Sequence, residues 1–159
     1  MKIREMRRKD RRLSHEESQG ILERGEYGIL ATVDGEGQPY GLPLSYLWDQ
    51  GRIYMHCAAE GQKLDNLRAN PKASLTVVGP TEPVYDKGFS TYYESAIVCG
   101  PVSVVEEADE KYRALYELAR KYLPDHLDQA DGNIQKFMKR TVVLRLDPEL
   151  ISGKAKKKD

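Results

Sequence analysis

The chain has 159 residues, enough for one domain with a buried core and short for two. Its 25 basic and 25 acidic side chains cancel, so nothing overall argues for a nucleic acid, a membrane surface or a polyanion as partner. No apolar run approaches the roughly 18 residues of a membrane span, and residues 1–10 lack the apolar stretch of a secretory leader, so none is expected. Cys57 and Cys99 stand far apart with no C-x-x-C, which predicts free thiols in a reducing cytoplasm. His15, His56 and His126 show no ligand spacing with Cys or acids, so no metal site is expected.

In chain order, residues 1–12 are basic and unperiodic and read as an N-terminal arm. Ser14-His15-Glu16-Glu17 has the pattern of a capping box, so a short helix should follow and stop near Gly25. Residues 27–33, 39–48 and 52–58 are rich in β-formers and separated by Asp34-Gly35-Glu36-Gly37 and Asp49-Gln50-Gly51. They predict an antiparallel meander. Pro43 lies inside the second run and has no N–H for the ladder, so the strand there is an edge, a bulge or a break. Residues 60–70 predict a short helix ended by Asn70-Pro71. Residues 73–78 predict a fourth strand, and 79–88, with two prolines, a loop. Residues 89–105 predict one long strand kinked near Gly100-Pro101.

Residues 109–123 are the clearest helix. Ala108, Tyr112, Leu115, Ala119 and Tyr122 form a stripe at spacings of three and four that suits a core. Pro124 stops it, and 124–133 read as a loop. Residues 141–146 predict a last strand, and 148–159 a C-terminal tail whose Lys154, Lys156, Lys157 and Lys158 suit a solvated end or a phosphate-binding arm. No repeat or linker divides residues 1–159, so one domain is expected. About six strands with few helices predict a mainly β, α+β chain built as a small antiparallel barrel, closed so that edges are protected.

Three places can carry chemistry. Alternation in 52–58 puts Ile53, Met55 and Cys57 on a core face and Tyr54, His56 and Ala58 on the other, where an aromatic and an imidazole suit a planar ligand. His56 also suits a purely structural hydrogen-bonding role. Glu60-Gly61-Gln62-Lys63 opens a helix, and free amides with a lysine suit a phosphate, although a first-turn lysine can simply be solvated. The break at Pro43-Leu44-Ser45-Tyr46 frees backbone groups for the polar edge of a ring, or marks only a bulged edge strand. No catalytic triad, paired catalytic carboxylates, complete P-loop or G-x-G-x-x-G is present.

In order and spacing these elements resemble the pyridoxamine 5′-phosphate oxidase-like FMN-binding family, and within it the nitroimidazole-resistance (Nim-like) branch. The carriers are Met6-Arg7-Arg8-Lys9-Asp10-Arg11, Gly37-Gln38-Pro39-Tyr40 running into Pro43-Leu44-Ser45-Tyr46, and Ile53-Tyr54-Met55-His56-Cys57-Ala58. Gly61-Gln62-Lys63, Leu67-Arg68-Ala69-Asn70-Pro71, Tyr93-Glu94-Ser95-Ala96-Ile97-Val98-Cys99-Gly100 and Thr141-Val142-Val143-Leu144-Arg145-Leu146-Asp147 follow. The resemblance implies a six-stranded split β-barrel that binds FMN and works as a homodimer with two flavins at the interface. It implies that Lys63, with Gln62 beside it, holds the phosphate. His56 and Cys57, with Ala58 beside them, line the flavin, and Pro43, Leu44 and Ser45 follow the ring edge. Ser95 of the partner subunit approaches the cofactor. The vitamin B6 oxidases of the family carry basic residues where this chain has Leu42 and Leu47, which argues against pyridoxamine phosphate as substrate.

The function expected is a flavin-dependent oxidoreductase that takes electrons from a small donor such as NAD(P)H and passes them to a small planar acceptor such as a nitroaromatic. His56 is the expected catalytic residue, orienting the acceptor or supplying a proton. A flavin- or haem-binding module without turnover, or an interaction protein that has lost its ligand, would use the same fold.

Overall fold

The computed structural model describes residues 5–85 and 88–158. Residues 1–4 of the expected arm, 86 and 87 of the expected loop and 159 of the expected tail lie outside the described residues.

Helix α1 (His15–Arg24) opens on the expected capping box. Ser14 Oγ accepts from the Glu17 amide at 3.1 Å, and a Glu17 carboxylate oxygen accepts from the Ser14 amide at 2.8 Å. It ends at Gly25, but not through a left-handed cap, since Gly25 has φ −64°. Glycine is needed there because a Cβ would collide with the Tyr46 hydroxyl and the Val77 side chain.

Eight strands follow: β1 (Gly28–Val33), β2 (Pro39–Leu44), β3 (Leu47–Asp49), β4 (Arg52–Ala58), β5 (Lys72–Val84), β6 (Ser90–Val104), β7 (Thr141–Leu146) and β8 (Leu150–Lys156). All pair antiparallel, in the order β2-β1-β5-β6-β7-β4-β3, with β8 also paired to β6. The remaining helices are α2 (Gln62–Ala69), α3 (Ala108–Tyr122) and α4 (Ala130–Phe137).

Strand β6 joins two sheets. Residues 93–99 pair with β8, and Val102–Val104 pair with β7. The change of partner falls at Gly100-Pro101, where a Cβ on Gly100 would strike the Asp147 carbonyl. At the position of the expected kink the strand runs on unbroken and passes from the first sheet to the second.

The architecture corrects the six-strand expectation to eight. The run 39–48 is two strands, because pairing stops after Leu44. Pro43 does not interrupt pairing: it stands opposite Ile29 in β2, which lies at the end of the sheet order, where a missing N–H costs nothing. The expected loop after Val78 continues as β5 to Val84, past a register shift between Val78 and Thr81. The stretch 124–133 is a 3₁₀ turn (Pro124–Gln129) leading into α4, which buries Ala130 and Ile134.

The expected C-terminal tail is strand β8. After Ile151, which packs on the main core, its inward side is made of small residues: Ala155 is buried, and Gly153 lies so close under α1 that a Cβ would collide with Ser18 Oγ. Glycine and alanine between lysines hide the alternation that marks a strand. The N-terminal arm is held to β8 as well, by an Arg12–Lys154 bridge and a 3.1 Å bond from the Leu13 amide to the Gly153 carbonyl.

The main core gathers Ile21, Leu22, Leu30, Tyr46, Ile53, Met55, Leu75 and Leu144. Each fully buried aliphatic side chain there contributes on the order of 1.5–3 kcal/mol. A second core under α3 holds Leu47, Tyr54, Ala114, Leu118 and Val143. The expected stripe on α3 is thus rotated: Ala114 and Leu118 are its buried residues, while Tyr112 lies outside and bonds Asp131 at 2.8 Å. No helix among the described residues is long and apolar enough to cross a membrane.

Candidate functional site

Strand β4 carries the first part of the site. Ile53 and Met55 enter the main core, and Cys57 packs against it, as alternation predicts. The opposite face is not free along its length. Tyr54 is fully buried beneath α3, so it separates exposed Arg52 at the start of the strand from exposed His56 and Ala58 beyond the helix.

His56 and Ser45 line one cleft of about 300 Å³. Its other walls come from α3 (Leu115, Leu118, Ala119, Tyr122) and from the α4 segment (Ile134, Phe137). Burial against these walls, and the charge of Lys63, hold the His56 imidazole below its ordinary pKa, even though the ring keeps an exposed edge. At neutral pH the imidazole is therefore neutral, with one nitrogen able to accept a proton.

After β4 the chain turns into α2 through Gly61, whose φ of +130° lies in the region that favours glycine. Gly61 brings no capping side chain, so the first amides of α2 stay open at the end where Lys63 stands. The helix is fixed to the sheet by a buried polar pair, Asn66 Nδ2 donating to Thr32 Oγ1 at 3.0 Å.

The far wall of the cleft is held by Tyr122. Its hydroxyl accepts from the Tyr46 amide at 3.0 Å and lies 2.8 Å from the Glu26 carbonyl. Lys121 donates to the Tyr46 carbonyl at 3.0 Å and sits 3.9 Å from the Tyr46 ring centre. Burial pushes its pKa down to about 8.

The sequence-predicted residues divide into three groups. Ser45 and His56 come together at the cleft; Lys63, whose charge acts on the imidazole, stands in the first turn of α2 and is not one of the cleft's lining residues, with Ala58 and Gln62 exposed along the chain between. Leu44 and Cys57 turn inward and pack on the main core. Pro43 and Ser95 lie on the outer face of the first sheet: Pro43–Ile29–Thr76–Ile97–Ser152 form one cross-strand row, and Val78–Ser95–Lys154 the next. Sequence reasoning missed the α4 wall of the cleft, and it read Leu115, Ala119 and Tyr122 only as core. Among the described residues no group of His, Cys, Asp and Glu is arranged to hold a metal.

A mainly antiparallel α+β fold whose two sheets share strand β6 is the architecture of a split-barrel protein. Residues 14–155 match the family model described as pyridoxamine 5′-phosphate oxidase, and the chain belongs to that family. An uncharacterized protein of Rhizobium meliloti (strain 1021) is 39% identical over 65 residues, a match that covers 41% of this chain and 42% of that relative. The same fold is found in a candidate 5-nitroimidazole antibiotic resistance protein from Bacteroides thetaiotaomicron VPI-5482. That structure is 24% identical with a TM-score of 0.78, over 91% of this chain and 86% of that one. It is found again in an FAD- and haem-binding protein from Mycobacterium smegmatis, 20% identical with a TM-score of 0.77, over 91% and 72% of the two chains.

Proposed function

We propose that this chain is a cytoplasmic FMN-dependent oxidoreductase that reduces small planar acceptors, nitroaromatics among them, as in the nitroimidazole-resistance branch. The observation that carries this reading is the meeting of Ser45 and His56 in one apolar cleft, with the charge of Lys63 acting on the imidazole. Membership of the family and the shared fold of the Bacteroides protein support it. The free thiols of Cys57 and Cys99 suit a reducing compartment.

The residues fit FMN. Lys63 and the open amides of α2 offer a charge and donors to a phosphate, as the turn at Gly61 leaves open space there. Ser45, at the break between β2 and β3, presents polar groups to a ring edge. Bound there, FMN supplies the electron-pair transfer between a nicotinamide donor and the acceptor. Leu115, Leu118, Ile134 and Phe137 exclude water from the acceptor's side of the cleft. A neutral His56 donates a hydrogen bond from its ring N–H to the acceptor's oxygen or, once protonated, delivers a proton to it from a ring nitrogen.

A second copy completes the site. The outer face of the first sheet exposes Ile29, Val78 and Ile97, interspersed with the small side chains of Ala31, Ser74 and Cys99. Such a flat apolar face suits a two-fold interface. Pro43 and Ser95 lie on it, so in a dimer Ser95 of the partner subunit reaches toward the flavin.

The spectrum of freshly purified protein, followed by turnover with NADH or NADPH and a nitroaromatic, tests this reading. Flavin bands with turnover support it. A colourless protein that rejects added FMN overturns it. A second reading, a binding module without turnover, draws on the exposed neutral imidazole of His56 and the haem-binding Mycobacterium smegmatis protein. A Soret band, or bound flavin without turnover, favours it.

A further inference from the structure

The end of the outer face around Tyr93 is crowded with cations, and apart from Lys156, which donates to Ser90 Oγ and lies over the Tyr92 ring, they fall into two sets. Arg8, Arg12, Arg24, Lys157 and Lys158 each pair with a carboxylate, namely Asp10, Glu5, Glu94, Glu17 and Glu82. Arg11 and Lys154 form no ion pair with a carboxylate among the described residues. Both instead converge on Tyr93. Arg11 Nη1 donates to the Tyr93 hydroxyl at 3.4 Å, and the Lys154 ammonium lies 5.8 Å from the ring centre.

Placement of these groups is enforced by the backbone. The Arg12–Lys154 bridge brings the arm alongside β8, and β8 pairs with β6 so that Lys154 stands opposite Ser95 and Lys156 opposite Tyr93. Half-buried Arg11, Tyr93 and Lys154 therefore meet on one face. Two like charges held around one phenol repel each other unless an anion joins them. The acids nearby do not serve: Glu94 is taken by Arg24, Glu17 by Lys157 and Glu82 by Lys158.

We infer that Arg11, Tyr93 and Lys154 form a binding site for a phosphate group. The guanidinium, the ammonium and the phenol gather three donor groups at one place, enough to meet several oxygens of a phosphate. The Tyr93 hydroxyl accepts from Arg11 and keeps its own proton to donate. Burial raises the phenol's pKa, but the hydrogen bonds and charges of Arg11 and Lys154 outweigh it and leave the pKa below its ordinary value, so the phenol is a strengthened donor. The site adjoins Ser95 on the face proposed for the dimer. The phosphate thus belongs either to a flavin held by the second copy or to the nucleotide of the electron donor.

Inorganic phosphate is the probe. Titrated into the full-length, isotope-labelled protein at constant ionic strength, it should give saturable NMR shifts at Arg11, Tyr93 and Ser95. Lys154→Gln should weaken that binding by about tenfold to a hundredfold, the range of one charge-assisted hydrogen bond, and Lys154→Arg should restore it. Circular dichroism of each variant checks that β8 is intact. Shifts that never saturate, or equal phosphate affinity in wild type and a folded Lys154→Gln, overturn the site.

Two further arms name the source. If the phosphate is the flavin's, Lys154→Gln narrows the affinity advantage of FMN over riboflavin by a similar factor. If it is the donor's, the variant shrinks the KM preference for NADPH over NADH instead. Saturable inorganic phosphate binding with both ratios unchanged identifies free phosphate as the ligand. The FMN arm rests on the flavin reading, whereas the phosphate titration does not, so the two can fail separately.

Discussion

The Tyr54 hydroxyl donates a hydrogen bond of 2.7 Å to Glu110 Oε1, tying strand β4 to helix α3. Glu110 also takes Arg145 Nη1 on both oxygens, at 3.1 Å each, and Arg145 reaches on to Asp147 at 3.0 Å. Arg113 bonds Asp49 and lies over the Tyr54 ring. This polar network closes over Tyr54 and limits the ligand-facing part of β4 to His56 and Ala58. The seat of α3, and with it the cleft, depends on it.

The network predicts an acid-sensitive stability. The Tyr54 hydrogen bond, and then Arg145, hold the Glu110 carboxyl below its ordinary pKa. A carboxyl depressed in the folded state adds stability above its unfolded value, near ~4.3, and that stability is lost as pH falls through the folded value. Glu110→Gln should therefore melt lower than wild type at neutral pH, and the gap should close toward pH ~3. Thermal melts of both proteins across that range check it. A gap independent of pH would show that the charge of Glu110 is not what holds α3.

Lys63 makes a prediction specific to the phosphate. Lys63→Ala removes a charge-assisted interaction worth roughly 1.5–3 kcal/mol, so FMN should bind about tenfold to a hundredfold more weakly. Riboflavin, which has no phosphate, should bind both proteins alike. Fluorescence titration of each flavin measures this. Equal FMN affinity in both proteins would make Lys63 a solvated side chain and move the phosphate elsewhere.

How much was legible follows from where each signal lies. Ser14 and Glu17 announce α1 because capping is local chemistry, and residues 52–58 announce β4 because their alternation is intact. The strand at 150–156 escaped because Gly153 and Ala155, which face α1, carry almost no hydrophobic signal. α4 escaped because Pro124, Asp125 and Gly132 suggest a loop, while its helix depends on packing Ala130 and Ile134 against the rest. The family pattern puts Pro43, Ser95 and His56 at one cofactor. A single chain divides them between the sheet's outer face and the cleft, and only a second copy would reunite them.

That division makes the oligomeric state decisive. Ile97 is exposed in the row Pro43–Ile29–Thr76–Ile97–Ser152, between Thr76 and Ser152. Wild type should scatter light as a dimer at micromolar concentration. Ile97→Glu places a charge on each side of the two-fold axis, which should yield a folded monomer with FMN affinity reduced at least about tenfold, the cost of burying unpaired like charges. A monomeric wild type with full FMN occupancy would exclude a shared pocket, and a dimeric Ile97→Glu would move the interface to another face.

His56 decides whether the chain contributes chemistry of its own. Burial in the cleft and the Lys63 charge lower its pKa, so its protonated form is populated only below the ordinary histidine value near ~6.5. If His56 delivers a proton to the acceptor, the rate per bound flavin should fall as pH rises from about 5 through that depressed pKa, and should be flat in His56→Gln. At low pH the variant should be slower by roughly 10²–10⁴-fold, the usual range for general acid help. Lys63→Met supplies a second check. Removing the neighbouring charge should shift the wild-type inflection upward without abolishing it, because the Coulombic contribution to the depression is gone while the burial remains. A structural His56 gives a different pattern. His56→Gln would then lower melting temperature and flavin occupancy together and leave the rate per bound flavin and its pH profile unchanged. Stopped-flow turnover normalised to bound flavin, measured from about pH 5 to about pH 9, separates the two roles, because occupancy and catalysis are then read independently.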